Sequence, residues 1–205
     1  MIVTISRTYG AGAHDIATAA AQQLGYRLFD RELPVVVAAR LGTSSDAVES
    51  VAERAPSFGE RVMQQLGGGV PETAQPGMTT EDDFSEETRR AIEEAVREIA
   101  AAGNAIVNGR MAGAILGPRR DILRVFLRAP LAWRVAHVVE SLGCSQTAAQ
   151  EEVTRVDEAR RSYAKEHYRF AWGDPRNYEL IIDTSRFGIA GSADLLVAAV
   201  RAAEA

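Results

Sequence analysis

Two glycines two residues apart, Gly10 and Gly12, stand between an apolar run, Ile2-Val3-Thr4-Ile5, and a helix-like stretch opening at Asp15. That order can bind an anion: glycines let the backbone curl, and the following helix aims its N–H groups and the positive end of its dipole back at the turn. Asn108-Gly109-Arg110 repeats the theme, and Arg155, Arg160 and Arg161 fall within two turns of one helical stretch. Arginine suits phosphate because its planar fork binds two oxygens together. Asp157 precedes Arg160 by three residues, so on a helix the two share a face and the carboxylate is expected to hold the guanidinium. Phosphoryl transfer asks mainly for positioning and for positive charge, supplied by amides, arginine or lysine, and Mg²⁺. The other reading of these arginines is a solvated helix face carrying intrahelical ion pairs.

The phosphate-cradling motif G-x-x-x-x-G-K-[ST] places a lysine on the outer phosphates. Setting its second glycine on Gly12 puts Arg7 at the first glycine and Ala13 at the lysine. Lys165 is the sole lysine among 23 basic residues, so Arg7 or His14 supplies that charge or it is missing. An ordinary strand-to-helix turn is the alternative for this stretch. Other chemistries find less support. His137 and His167 lack cysteine or carboxylate at metal-ligand spacing, Ser185 lacks a G-x-S-x-G setting, and Cys144 has no evident activating partner.

The elements that must position these residues are marked out by apolar runs and breakers. Ile16, Ala19, Ala20 and Leu24 sit at helical spacing, and Gly25 ends that helix. Tyr26–Phe29 reads as a short second strand with Asp30 at its end, either facing the crevice or capping the next helix. Residues 32–41 and 44–54 read as helices. Residues 58–83 carry Gly67-Gly68-Gly69, Pro71, Pro76 and Gly77, an excursion that is either a lid or a loose loop. Helices are expected over 85–102, 131–142, 146–168 and 193–203, with strands over 105–107, 122–127 and 180–183. Trp172 to Tyr178 reads as a turn whose two rings anchor it to the core. Strands alternating with helices, each strand a short apolar run, argue a parallel five-stranded sheet covered on both faces, with Arg7, Gly10, Gly12, Asp30, Gly109 and Arg110 on one rim.

The totals fit one domain of 205 residues. A net charge of −5 gives no broad electrostatic footprint for nucleic acid and favours a small anionic ligand. One cysteine, no signal-peptide organisation and no run long enough to span a bilayer make the cytoplasm the expected compartment. A homodimer is left open.

In order and spacing, several blocks together resemble the cytidylate kinase-like family of P-loop proteins. They are Ile5-Ser6-Arg7-Thr8-Tyr9-Gly10-Ala11-Gly12, Phe29-Asp30-Arg31-Glu32-Leu33, Asn108-Gly109-Arg110-Met111-Ala112, Val125 to Pro130 with Arg134, Asp157-Glu158-Ala159-Arg160, Trp172 to Tyr178, and Ile182-Asp183-Thr184-Ser185. The resemblance implies a P-loop kinase fold, ATP as donor, a nucleoside monophosphate as acceptor, and Mg²⁺ bound through the nucleotide phosphates with no metal site on the protein. It implies that Gly10, Ala11, Gly12, Ala13, His14 and Asp15 cradle the donor. Arg160 would be the arginine of a lid over residues 146–178, supported by Asp157 and joined by Arg7, while Asp30, Arg110 and Arg176 would hold the acceptor. The chain departs from the family at Ala13, where a lysine is usual, and at Met111, where an aspartate follows the arginine. A catalytically silent nucleotide-binding module, or a kinase of another small acceptor, is the alternative.

Overall fold

The computed structural model describes residues 1–30, 41, 42, 44 and 81–205. Five strands, β1 (Ile2–Arg7), β2 (Arg27–Phe29), β3 (Ala105–Asn108), β4 (Ile122–Arg128) and β5 (Leu180–Asp183), form one sheet in the order β2-β3-β1-β4-β5. Every pairing is parallel, as runs such as Ile106-Val107 and Val125-Phe126-Leu127, buried on both faces, require. The carboxyl ends of β2, β3 and β1 therefore lie side by side. They bring Asp30, Gly109-Arg110 and Arg7 to one rim, as the alternation of elements implied.

The sheet is sandwiched. On one face Val3, Ile5, Ile106, Val125 and Leu127 pack against α1 (Ala13–Leu24) and α6 (Thr184–Glu204) through Ile16, Ala17, Ala20, Leu196 and Val200. On the other, Ile2, Ala105, Val107 and Ile122 meet α2 (Glu81–Ala102) through Ile92, Ala95, Val96 and Ile99, and α3 (Ala112–Leu116) through Ala112. A satellite cluster of Val135, Val138, Ala149 and Val153 joins α4 (Leu131–Leu142) to α5 (Gln146–Tyr168), with Tyr9 packed against it. The turn between β1 and α1 is thus wedged between the main core and the α4–α5 pair.

Most boundaries fall within about two residues of the sequence reading, and two differ by more. The last helix begins at Thr184 rather than 193, because Asp183 caps it by accepting from the Ser185 amide at 3.2 Å. Gly188, at φ 66° and ψ −178°, interrupts the helix without ending it. The helix expected from Ser85 starts at Glu81, so residues 81–83 of the expected excursion belong to α2. The rest of that excursion, and the helices expected over 32–41 and 44–54 apart from residues 41 and 44, lie outside the described residues. Among the described residues no helix is long and apolar enough to cross a membrane.

A glycine turn gripped by two helices

Gly10 and Gly12 both adopt positive φ, 79° and 74°, and Gly12 is the N-cap of α1 with no side chain to cap it. The first four amides of a helix have no intrahelical acceptor. Here the Ala11 amide donates to the Thr8 carbonyl at 3.2 Å and the Tyr9 amide to Asp157 Oδ1 at 2.8 Å. Among the described residues nothing accepts from the amides of Gly10, Gly12, Ala13, His14 or Asp15. This is a row of donors at the positive end of a helix dipole, the donor set a polyphosphate requires. Ala11 departs from the sequence reading: its amide is spent within the turn and its side chain is buried.

Each glycine also has a packing reason. A Cβ on Gly10 would lie 2.9 Å from the Arg134 carbonyl oxygen, and one on Gly12 would collide with Ile189 Cδ1. The turn is therefore seated on α4 on one side and on the start of α6 on the other. Ile189 reaches it because the chain bends at Gly188.

Asp157 does not hold Arg160, contrary to what its helical spacing suggested. Its second oxygen accepts from Arg134 Nη1 at 2.7 Å, and that same nitrogen donates to the Tyr9 carbonyl at 3.0 Å. Arg134 Nε donates to the Ala129 carbonyl at 3.0 Å. Arg134 and Asp157 are 9 % and 8 % exposed, and a buried carboxylate needs a buried cation more than an exposed one. Arg160, one turn further along α5, instead donates to the Arg7 carbonyl at 3.3 Å and lies 5.7 Å above the Tyr9 ring.

Arg7, Arg110 and Arg160 converge on one cleft with Ser6, Gly109, Met111, Tyr163 and Trp172. Gly109 sits at φ 90°, a conformation that favours glycine, and the Arg7 guanidinium occupies the space where a Cβ would stand. Arg110 and Met111 both take φ 52°, an uncommon conformation for side-chain-bearing residues that marks the start of α3. Among the described residues no carboxylate lines this cleft. Its wall is aromatic: Trp172 packs edge-on to Phe126 at 5.4 Å, Arg161 lies 5.8 Å over Trp172, and Tyr178 meets Phe126 at 4.9 Å. The rings of the Trp172–Tyr178 turn do anchor it, and burial pushes the Tyr178 hydroxyl above its ordinary range.

Four other residues lie away from this cleft's lining. His14 Nδ1 and Asp30 Oδ2 are 2.7 Å apart, so the end of β2 and the first turn of α1 meet at the rim. Asp15 is exposed on that same turn. Arg176 is 87 % exposed and does not line the cleft: its guanidinium pairs with Asp174 at 2.7 Å. The hydrogen bonds from Arg176 hold the Asp174 carboxyl down to about 2. A carboxylate with a depressed pKa contributes fully above its ordinary value and loses that contribution as pH falls through about 2. Arg176→Ala is expected to return Asp174 toward 3.8, read by carboxyl-carbon NMR titration. The same substitution should leave acceptor KM within about two-fold, as for any exposed ion pair.

Sequence reasoning gave no role to Arg134 or Ile189. Arg134 had a visible signal, a cation within the apolar stretch Leu131 to Val139. Ile189 had none, since its contact with Gly12 crosses the whole chain. Among the described residues no three of His, Cys, Asp and Glu gather as metal ligands.

Comparison with known proteins fits this geometry. The model of the cytidylate kinase-like family matches residues 2–186. The chain is 27% identical over 203 residues to the cytidylate kinase of Methanothrix thermoacetophila, covering 98% of this chain and 99% of that one. The crystal structure of a protein from Eubacterium ventriosum superposes with a TM-score of 0.69 at 18% identity, covering 98% of both chains. Shikimate kinase from Bacteroides thetaiotaomicron gives 0.53 at 13% identity, again over 98% of both.

Proposed function

This chain belongs to the cytidylate kinase-like family and has the P-loop kinase fold, and from that premise we propose that it transfers a phosphoryl group from ATP to a nucleoside monophosphate. One observation carries the reading: a row of amides without acceptors at the start of α1 lies on the same rim as three converging guanidinium groups. Bound Mg·ATP would supply the activated γ-phosphoryl group, its metal carried on the phosphate oxygens. The amides of Gly10, Gly12, Ala13 and His14 would hold the β- and γ-phosphates. Arg7, Arg110 and Arg160 would neutralise charge between donor and acceptor, which is most of what such a reaction asks of a protein. A phosphate oxygen of the acceptor attacks the γ-phosphorus, the bond to the ADP oxygen breaks, and the guanidinium groups hold the transferring oxygens throughout.

The cleft as it stands encloses about 30 Å³, room for a water and not for a nucleotide, whose site needs several hundred. Entry of a nucleotide therefore requires side chains that line the cleft to move. Among the contacts of Arg160 are a 3.3 Å bond to a backbone carbonyl and the Tyr9 ring, and a phosphate is a stronger acceptor than either of these two. Met111 lacks an acceptor for an exocyclic amino group, so this side chain does not select cytosine.

A second reading, nucleotide binding without turnover, is favoured by Ala13, a buried methyl where the motif places its lysine. Incubation with ATP, Mg²⁺ and CMP, UMP, AMP or GMP separates the two. Acceptor-dependent ADP formation is the expected result. ATP binding by calorimetry with no ADP from any acceptor would establish the silent module instead.

A further inference from the structure

We infer that Asp157 and Arg134 act together as a positioning pair that sets the donor turn, rather than as substrate ligands. This inference rests on the kinase reading for its function, but not for its geometry. Between them the two side chains take both polar groups of Tyr9: the amide goes to Asp157 Oδ1 and the carbonyl to Arg134 Nη1, and the pair is closed by its own 2.7 Å contact. Tyr9 is thereby fixed as a peptide clamped on both sides, immediately before Gly10. The next residue is closely packed as well: the Arg134 carbonyl oxygen and Val138 Cγ2 lie 2.9 and 3.0 Å from where a Cβ on Gly10 would stand.

Fixing Tyr9 orients the residues after it. With its amide and that of Ala11 both occupied, the donors presented at the start of α1 are those of Gly10 and of Gly12 onward. The same carboxylate lies one turn from Arg160, whose guanidinium reaches the Arg7 carbonyl and the Tyr9 ring. Residues 7 and 9 of the turn are therefore both held by α5. The donor amides and the guanidinium that would meet at the γ-phosphate share a single buried anchor. Neither member lines the cleft, so each acts through the turn.

Removing one partner of a buried pair strands the other, whereas replacing both with apolar groups of similar size is often tolerated. That asymmetry separates positioning from simple support. Asp157→Asn, Arg134→Met and the double variant Arg134→Met/Asp157→Leu would be compared with the native protein by thermal melting, ATP and CMP titration calorimetry, and hydrogen exchange of the amides of residues 8–16. The expected result is that each single variant weakens ATP binding by about ten-fold and speeds exchange in the turn, with CMP affinity unchanged. The double variant should melt at or above the single variants and still bind ATP no better than they do. Recovery of ATP affinity along with stability would overturn the proposal, because the pair would then be structural only. A loss confined to CMP binding would also overturn it, by placing Asp157 on the acceptor. Should the native protein bind no ATP, the kinase reading fails; faster exchange at residues 8–16 in the single variants would still uphold the pair, and unchanged exchange would reject it.

Discussion

Replacing Arg160 with alanine is expected to slow ADP formation by about 10²- to 10³-fold, the usual loss when one charge-stabilising donor is removed from a transition state. Its bond to the Arg7 carbonyl at 3.3 Å and its cation–π contact with Tyr9 are interactions worth about 1 kcal/mol each, so thermal melting is measured alongside the rate. Arg160→Lys should recover part of the rate: a lysine restores the charge but not the planar fork. Single-turnover measurement with saturating nucleotides checks both, because it reports the chemical step without product release. A rate unchanged in Arg160→Ala would remove this residue from the reacting groups and leave Arg7 and Arg110 to carry the charge.

Gly12→Val is expected to unfold the protein more readily, by about 2–5 kcal/mol in urea denaturation, combining left-handed backbone strain with overpacking. From the sequence alone the same substitution looks like a binding defect in an intact fold, because a glycine turn suggests a backbone approached by phosphate. The structure supplies another occupant: Ile189 Cδ1 fills the space the Cβ would need. Gly12→Ala should therefore cost less in an Ile189→Ala background than in the native one, and the difference measures the contact directly. Equal costs in both backgrounds would leave only the positive φ to explain the glycine.

Much of the fold was legible because local pattern and tertiary burial agree. Leu131–Leu142, Gln146–Tyr168 and Leu180–Asp183 have the bounds that their apolar spacing and flanking Ser145, Gly143 and Asp183 imply. The parallel sheet followed from strands without polar faces. The last helix was expected only from 193, whereas Gly191 is helical and the bend at Gly188 is absorbed within one element that starts at Thr184.

The candidate site divides differently. The rim of Arg7, Gly10, Gly12, Asp30 and Arg110 was legible from strand ends, which parallel topology forces together. The partner of Asp157 was not. Spacing of three allowed Arg160, and nothing local distinguishes that from Arg134, on a different helix. Burial decides it, and burial belongs to the packed chain. Arg176 shows the converse: a promising arginine in an aromatic turn spends its charge on its neighbour Asp174 and stays in solvent.

The contact between Gly12 and Ile189 also bears on how this protein is made. A chain emerging from the ribosome delivers the β1 turn well before Ile189, so that turn has no floor beneath it until the start of α6 has emerged. β1 waits as well, since Ile2 pairs with Ala105 and Ile122 on strands that emerge long after it. A nascent polypeptide stalled short of α6 would carry the whole glycine motif yet lack the side chain that backs it.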